Sequence, residues 1–296
     1  MVEITSDLIK TIREKTGAGM MDCKKALVET NGNFDEAVDW LRKKGLAAAA
    51  RKASRVAADG LVCIFSDQKT ATILEINSET DFVAKNAKFQ EFVLKIGEFA
   101  SKKYCSTLDE FLQQKLDGET VQERIANLIA TIGENITIRR IQNVSAEQGV
   151  VATYIHSAVA PNLGKIGVLV RLESSGDKEK LFEFGKKLAM HIAASNPLFL
   201  NIPSVPSDIL NHEKSVLLEQ IQIQEKKPQE IINRMVDGRI KKFYEETVFL
   251  EQVYVLDGKK KVAEIISDFA KELGSPVNVN LFVKFVLGEG ILKQAE

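Results

Sequence analysis

EINSETDFVAKN, residues 75–86, organises the reading of the whole chain. The apolar run Ile73-Leu74-Glu75-Ile76 feeds it and reads as a strand. Asn77-Ser78-Glu79-Thr80-Asp81 then reads as a turn, and Phe82-Val83-Ala84-Lys85 opens a helical pattern. A strand that passes through one turn into a helix implies a mixed α/β layer rather than an all-helical or all-β chain. The turn also brings two acids and a phenylalanine together. One reading is helix capping. Ser78, Thr80 and Asp81 are good cap residues, an acid suits the helix dipole, and Phe82 would be core. That reading accounts for one acid and leaves the second acid and the early aromatic unexplained. The other reading is an exposed recognition element.

Working outward, GLVCIF (60–65) and ATILEI (71–76) are two strand-like runs separated by a turn at Ser66-Asp67. A long helix follows, with Phe89, Phe92, Val93, Ile96 and Phe99 at three- and four-residue spacing. The same β-β-α order recurs. Gly149-VVATYI and KIGVLVRL are again paired runs, followed by a helix carrying Leu181, Phe182, Leu188, Ala189 and Ile192. ITIRRIQNV (136–144), after a helix at 119–132, closes the first copy; VNVNLFVKFVLG (277–288) closes the second. The expected fold class is α+β, with a duplicated β-β-α-β core of two subdomains.

Residues 4–45 read as three helices. Ser6 or Thr5 caps the first, which presents Leu8, Ile9 and Ile12; the second buries Cys23, Ala26 and Leu27. Asn33 caps the third with Glu36 at capping-box spacing, and Gly45 is expected to end it. Residues 46–58 suit a helical linker. Residues 207–246 read as an antiparallel helical hairpin. Leu210, Val216, Leu217 and Ile221 would face Ile231, Ile232, Met235, Ile240 and Phe243. The expected units are a three-helix domain with the start of the linker (1–55), core subdomain one (56–145), core subdomain two (146–198 and 247–288), the inserted hairpin (199–246) and a short tail (289–296).

The chain has 296 residues, 45% hydrophobic and 27% charged, with a formal net charge of −1. That balance offers no global attraction for nucleic acid or an anionic membrane. Cys23, Cys63 and Cys105 are odd in number and far apart, against a disulfide framework or a zinc site. The N-terminal MVEITSDLIK lacks signal-peptide character, so a cytoplasmic protein, or an organelle protein after import, is expected. LGKIG (163–167) is no phosphate loop, and His156, His191 and His212 sit in no metal or catalytic frame. No cofactor and no enzymatic reaction are expected.

TGAGMMDCKKAL (16–27) places Met20 and Met21 side by side at a helix start. Adjacent helical positions point about 100° apart. Either both fill a shallow core, or one is exposed as an adaptable contact.

These motifs carry a resemblance. TGAGMMDCKKAL and ETDFVAKN, with VAADG (56–60), IGENITIRR (132–140), HIAASNP (191–197) and VLGEGI (286–291), resemble bacterial-type elongation factor Ts in the family's order along the chain. The resemblance implies a ubiquitin-associated-like N-terminal unit, a duplicated core and an inserted coiled-coil hairpin. It implies guanine-nucleotide exchange on elongation factor Tu, bound with GDP or without nucleotide. In the family the TDF turn enters the partner's G domain near its magnesium and phosphate site. Here that turn corresponds to Asp81 and Phe82, flanked by Thr80 and Val83. By the same likeness Ile12, Met20, Met21, Lys24, Ile132, His156 and Val255 would touch the partner. Taken alone, His156 after a strand reads as a satisfied turn residue rather than a contact. The segment HSAVAPNLGKIG is longer than in many relatives, and a further C-terminal helix looks absent or reduced. Glu79 receives no role. A homodimer through the hairpin stays open, as do a binding module without exchange activity and an enzyme.

Overall fold

The computed structural model describes residues 4–103, 105, 107–224 and 228–292. Helices α1 (Ser6–Thr16), α2 (Met20–Glu29) and α3 (Phe34–Lys52) come first. They pack around the buried Ile12, Cys23, Ala26, Leu27, Ala37 and Leu41. Thr5 caps α1, and Gly17, at φ 68°, ends it with its N–H donating to the Arg13 carbonyl. Asn33 caps α3. Glu36 Oε1 accepts from the Asn33 side chain at 2.9 Å, so the expected capping box is a side-chain version of that motif. Gly45 does not end α3. The helix runs on to Lys52, and Gly45 lies where it crosses a later helix. A Cβ there would meet Asn127 Oδ1 at 3.2 Å. This glycine permits close approach; it is not a stop.

Strands β1 (Asp59–Ser66) and β2 (Thr70–Ser78) form the first hairpin. One helical turn, α4 (Asp81–Ala84), and then α5 (Ala87–Lys102) follow. After α6 (Leu108–Gln113) come the short pair β3 (Lys115–Leu116) and β4 (Glu119–Thr120), then α7 (Val121–Ile132) and β5 (Ile136–Ser145). A full capping box at Thr120 and Glu123 starts α7. The second half begins with β6 (Gly149–His156), β7 (Leu163–Gly164), β8 (Ile166–Glu173) and α8 (Lys178–Ser195). Helices α9 (Ser207–Gln224) and α10 (Gln229–Thr247) then pair. The chain returns through α11 (Val262–Leu273) to β9 (Asn278–Val286). One sheet has the order β5-β2-β1-β7 and another β6-β8-β9, all pairs antiparallel.

The two sheets repeat one set of close contacts. Gly60 opens β1 against Ile76 and Asn77; Gly149 opens β6 against Leu172 and Glu173. A Cβ at either would fall within about 2 Å of a carbonyl oxygen across the pair. Three residues further along, Cys63 meets Gly97 of α5, and Ala152 meets Gly185 of α8. Both ladders slip register at one place, between Glu75 and Ile76 and between Arg171 and Leu172. Gly97→Ala and Gly185→Ala are each expected to destabilise by about 1–3 kcal/mol, although alanine is the better helix former. A Cβ would lie 2.6 Å from the Phe65 ring in the first case and 2.5 Å from Ala152 Cβ in the second. Urea midpoints of the two variants test this.

The units diverge just after the hairpin. Asn77 to Gly97 is longer than Glu173 to Gly185 by about two helical turns of residues. In the second unit Asp177 caps α8 directly through the Glu179 and Lys180 amides. In the first, Asn86 caps α5, and the extra length carries α4.

In the helical hairpin the buried seam is Ile232, Val236 and Ile240, with Leu210, Leu218, Met235 and Tyr244 packed on it. Ile231 is exposed and not part of the seam; it lies one position off the buried stripe. The side chains of Leu217 and Ile221 lie outside the described residues. Among the described residues no helix is long and apolar enough to cross a membrane, and no group of three or more His, Cys, Asp or Glu is placed to hold a metal ion.

Candidate functional site

The turn after β2 departs from the capping-and-core reading of its own sequence. Thr80 is the N-cap of α4, yet its side chain does not cap it. The hydroxyl donates instead to Glu134 Oε1 at 2.8 Å, and the Thr80 N–H donates to Glu134 Oε2 at 3.1 Å. Ser78 Oγ donates to the Thr80 carbonyl at 3.0 Å. Asp81 pairs with Lys85 at 2.7 Å, one helical turn on. Phe82 is not core: it is 77% exposed. The capping-and-core account therefore holds only for Asp81, which does stand in the first turn of α4; no side chain caps the helix, and Phe82 is not core.

Lys85 Nζ lies both on the Asp81 carboxylate and 5.7 Å from the centre of the Phe82 ring. That hydrogen bond and the lysine's charge hold the Asp81 carboxyl below the usual carboxylate range. Asp81 is thus an anion, beside a largely exposed aromatic ring. Val83 differs from the expectation of a partner contact. It is buried in the core with Ala84, Leu61, Phe89 and Ile136. It anchors α4 to the body, since one turn of helix leaves alternate sides facing in and out.

Glu79, without a role in the sequence, accepts the Asn135 N–H at 2.6 Å and lies 3.4 Å from Arg55 Nη1. Asn135 Nδ2 in turn donates to the Arg55 carbonyl at 2.8 Å. Sequence reasoning also misses Glu134. Its capping-like position after Gly133 gives no local sign of its partner, which lies 54 residues away.

One residue of the opening stretch is buried and charged. Glu75 is fully buried between β5 and the turn after β9. Its carboxylate receives Arg140 Nε at 2.6 Å, Arg139 Nη1 at 3.1 Å, Asn77 Nδ2 at 3.1 Å and the Gly288 N–H at 2.8 Å. Burial pushes this carboxyl up, but the Gly288 amide, Asn77 and both arginines outweigh it and leave it below its ordinary value. Arg140 also lies over the Phe285 ring, 4.1 Å from its centre, and donates to the Val286 carbonyl. The apolar run that signals β2 thus carries the ion that joins the first sheet to the end of the second.

The other expected contact residues divide. Met20 and Met21 are 57% and 76% exposed, and Lys24 is exposed beside them. Ile12 is fully buried within the three-helix core and presents no side chain to a partner; its place on the apolar stripe of α1 decides this. Ile132 is half-buried against the core of the first sheet. His156 is exposed at the end of β6, its Nδ1 3.2 Å from the Tyr154 hydroxyl. Val255 is 49% exposed, and its N–H donates to Nδ1 of the buried His191. Because Nδ1 accepts there, His191 carries its proton on Nε2 and donates to Gln252 Oε1 at 3.0 Å. Burial lowers its pKa, with the Gln252 bond opposing. His191 is structural: it holds the backbone under Val255.

The three-helix unit is joined to the exposed turn through α7. Arg42 pairs with Glu123, and Thr131 Oγ1 donates to the Gly17 carbonyl at 3.2 Å. The loop that ends α7 supplies Glu134 and Asn135.

A family model described as elongation factor TS matches residues 79–289. A protein named elongation factor Ts from Rhodospirillum centenum is 53% identical across 99% of this chain and 95% of its own length. Proteins of the same name from Rhodospirillum rubrum and Paramagnetospirillum magneticum are each 50% identical across 99% of this chain, covering 96% and 94% of their own lengths. The full-length match includes the turn at 79–86 and the loop that holds it, and by it the chain belongs to the elongation factor Ts family of translation elongation factors.

Proposed function

We propose that this chain binds elongation factor Tu and promotes release of its GDP, with Asp81 and Phe82 as the elements that disturb the partner's magnesium and phosphate site. The observation that carries the reading is the 77% exposure of Phe82 at the tip of a turn whose own backbone is tied down. An uncovered aromatic of this size on a held turn suits insertion into an apolar gap. Asp81 is ionised and needs only to exchange Lys85, itself exposed, for a partner group. GDP held without its Mg²⁺ loses charge compensation and leaves faster. The two ligands are then negatively coupled, and the coupling is reciprocal: nucleotide weakens factor binding by the same ratio. No covalent step is involved.

Met20, Met21 and Lys24 form a second contact, and His156 and Val255 a third. The repeated glycine contacts support a duplicated β-β-α-β core, and the three-helix unit is read as ubiquitin-associated-like. Since the second unit closes its sheet–helix contact without an extra turn, the turn at 81–86 is an addition to the repeat rather than a requirement of it. The helical hairpin is the surface proposed for any homodimer; the mass of the free chain in solution tests that separately. The primary experiment is release of a fluorescent GDP analogue from elongation factor Tu. Stoichiometric factor is expected to accelerate release, and an unchanged rate overturns the reading.

A further inference from the structure

We infer that Glu134 and Glu79 are positioning residues that hold the Asp81–Phe82 turn in its binding geometry before any partner arrives; this rests on the exchange reading above. The two carboxylates form a reciprocal brace. Glu134 takes the backbone N–H of Thr80, the residue after Glu79, at 3.1 Å. Glu79 takes the backbone N–H of Asn135, the residue after Glu134, at 2.6 Å. Each loop thereby satisfies the other's backbone donor with a charged acceptor, the stronger class of hydrogen bond. Glu134 adds the Thr80 hydroxyl at 2.8 Å, and Asn135 Nδ2 reaches back to the Arg55 carbonyl at 2.8 Å. Three segments distant in sequence converge on one turn.

The brace acts where α4 is otherwise weakest. This helix is a single turn and has no side-chain cap. Its inner residues Val83 and Ala84 are fixed by the core, but its outer residues Asp81 and Phe82 are not. Lys85, the residue that follows the helix, touches both through exposed contacts that hold little. The direction in which Phe82 points is therefore set by the backbone at Thr80, and that backbone is set by Glu134. Glu134 is itself half-buried rather than free on the surface. Without it, ordering the turn is deferred to the moment of insertion, at roughly a factor of ten per residue ordered.

The test uses the full chain and elongation factor Tu carrying the fluorescent GDP analogue. Glu134→Ala is expected to lower the maximal release rate about ten- to a hundredfold. The half-saturating factor concentration is expected to change by less than about threefold, because the contacts elsewhere remain. Glu134→Gln, which keeps an acceptor oxygen for Thr80, is expected to recover part of the loss. In a Phe82→Ala background, Glu134→Ala is expected to add nothing. Amide exchange of the free chain reads the brace alone: the Thr80 N–H should lose protection in Glu134→Ala. If wild type accelerates release and Glu134→Ala matches it, the positioning role is overturned while the exchange reading stands. An additive double variant also overturns it, since Glu134 would then act without Phe82. If wild type itself fails, the exchange reading falls and takes this role with it. Should Glu134→Ala not fold, Thr80→Val, which removes one of the two bonds to Glu134, is expected to show the same rate-selective loss at smaller size; an unchanged rate overturns the role.

Discussion

Phe82→Ala is expected to lower the maximal rate of GDP release from elongation factor Tu by about thirtyfold or more, as loss of an interface anchor worth ≥ ~2 kcal/mol requires. The thermal midpoint of the free chain should move by no more than about 2 °C. The separation of the two effects is the point. The ring is 77% exposed and lies outside the core cluster that takes Val83 and Ala84. Its removal leaves no cavity. Asp81→Ala should behave similarly, since its ion pair with Lys85 is exposed on both sides. Val83→Ala should do the reverse, lowering stability by about 1–3 kcal/mol through a buried cavity, with release affected only as far as α4 loosens. A large fall in midpoint for Phe82→Ala, with release intact, would end the insertion mechanism.

The second large effect is on stability. Glu75→Ala is expected to cost about 3 kcal/mol, the low end of the range for removing one partner of a buried ion pair. The low end applies because Arg139 and Arg140 retain some solvent contact and keep bonds to the carbonyls of Glu289 and Val286. Denaturant midpoints measure it. Because the folded carboxyl sits below its ordinary value of 4.5, its contribution is complete above that value. It is lost as pH falls from there through the folded pKa. Wild type should therefore lose stability on acidification below about 4.5 more steeply than Glu75→Gln. Parallel acid curves for the two proteins would show that the carboxylate is not the linking ion.

Elements with strong periodicity are legible in the amino-acid order alone. The paired strands, the long helices with apolar residues at three- and four-residue spacing, and the cap at Asn33 all follow from local rules. Gly45 misleads because a glycine in a helix has two meanings. It ends a helix where the backbone must turn left-handed, and it stays inside where another helix comes close. Only the crossing with α7 distinguishes them. Ile12 and Val83 are expected at a partner only through the resemblance; periodicity already puts Ile12 on the apolar face of α1, and the structure buries both side chains in the core.

The composition of the proposed site is thus written along the chain: an acid and a ring at the end of a strand, and two methionines at a helix start. Periodicity and cap chemistry act over a few residues, so they suffice for that. Which side chain stands out and what holds it there is decided only in three dimensions. Glu134 reaches Thr80 across 54 residues, and Glu75 reaches Gly288 across 213. A charged group in a local pattern looks the same whether it meets water or a distant amide, and its partner is chosen by the packing of the whole fold.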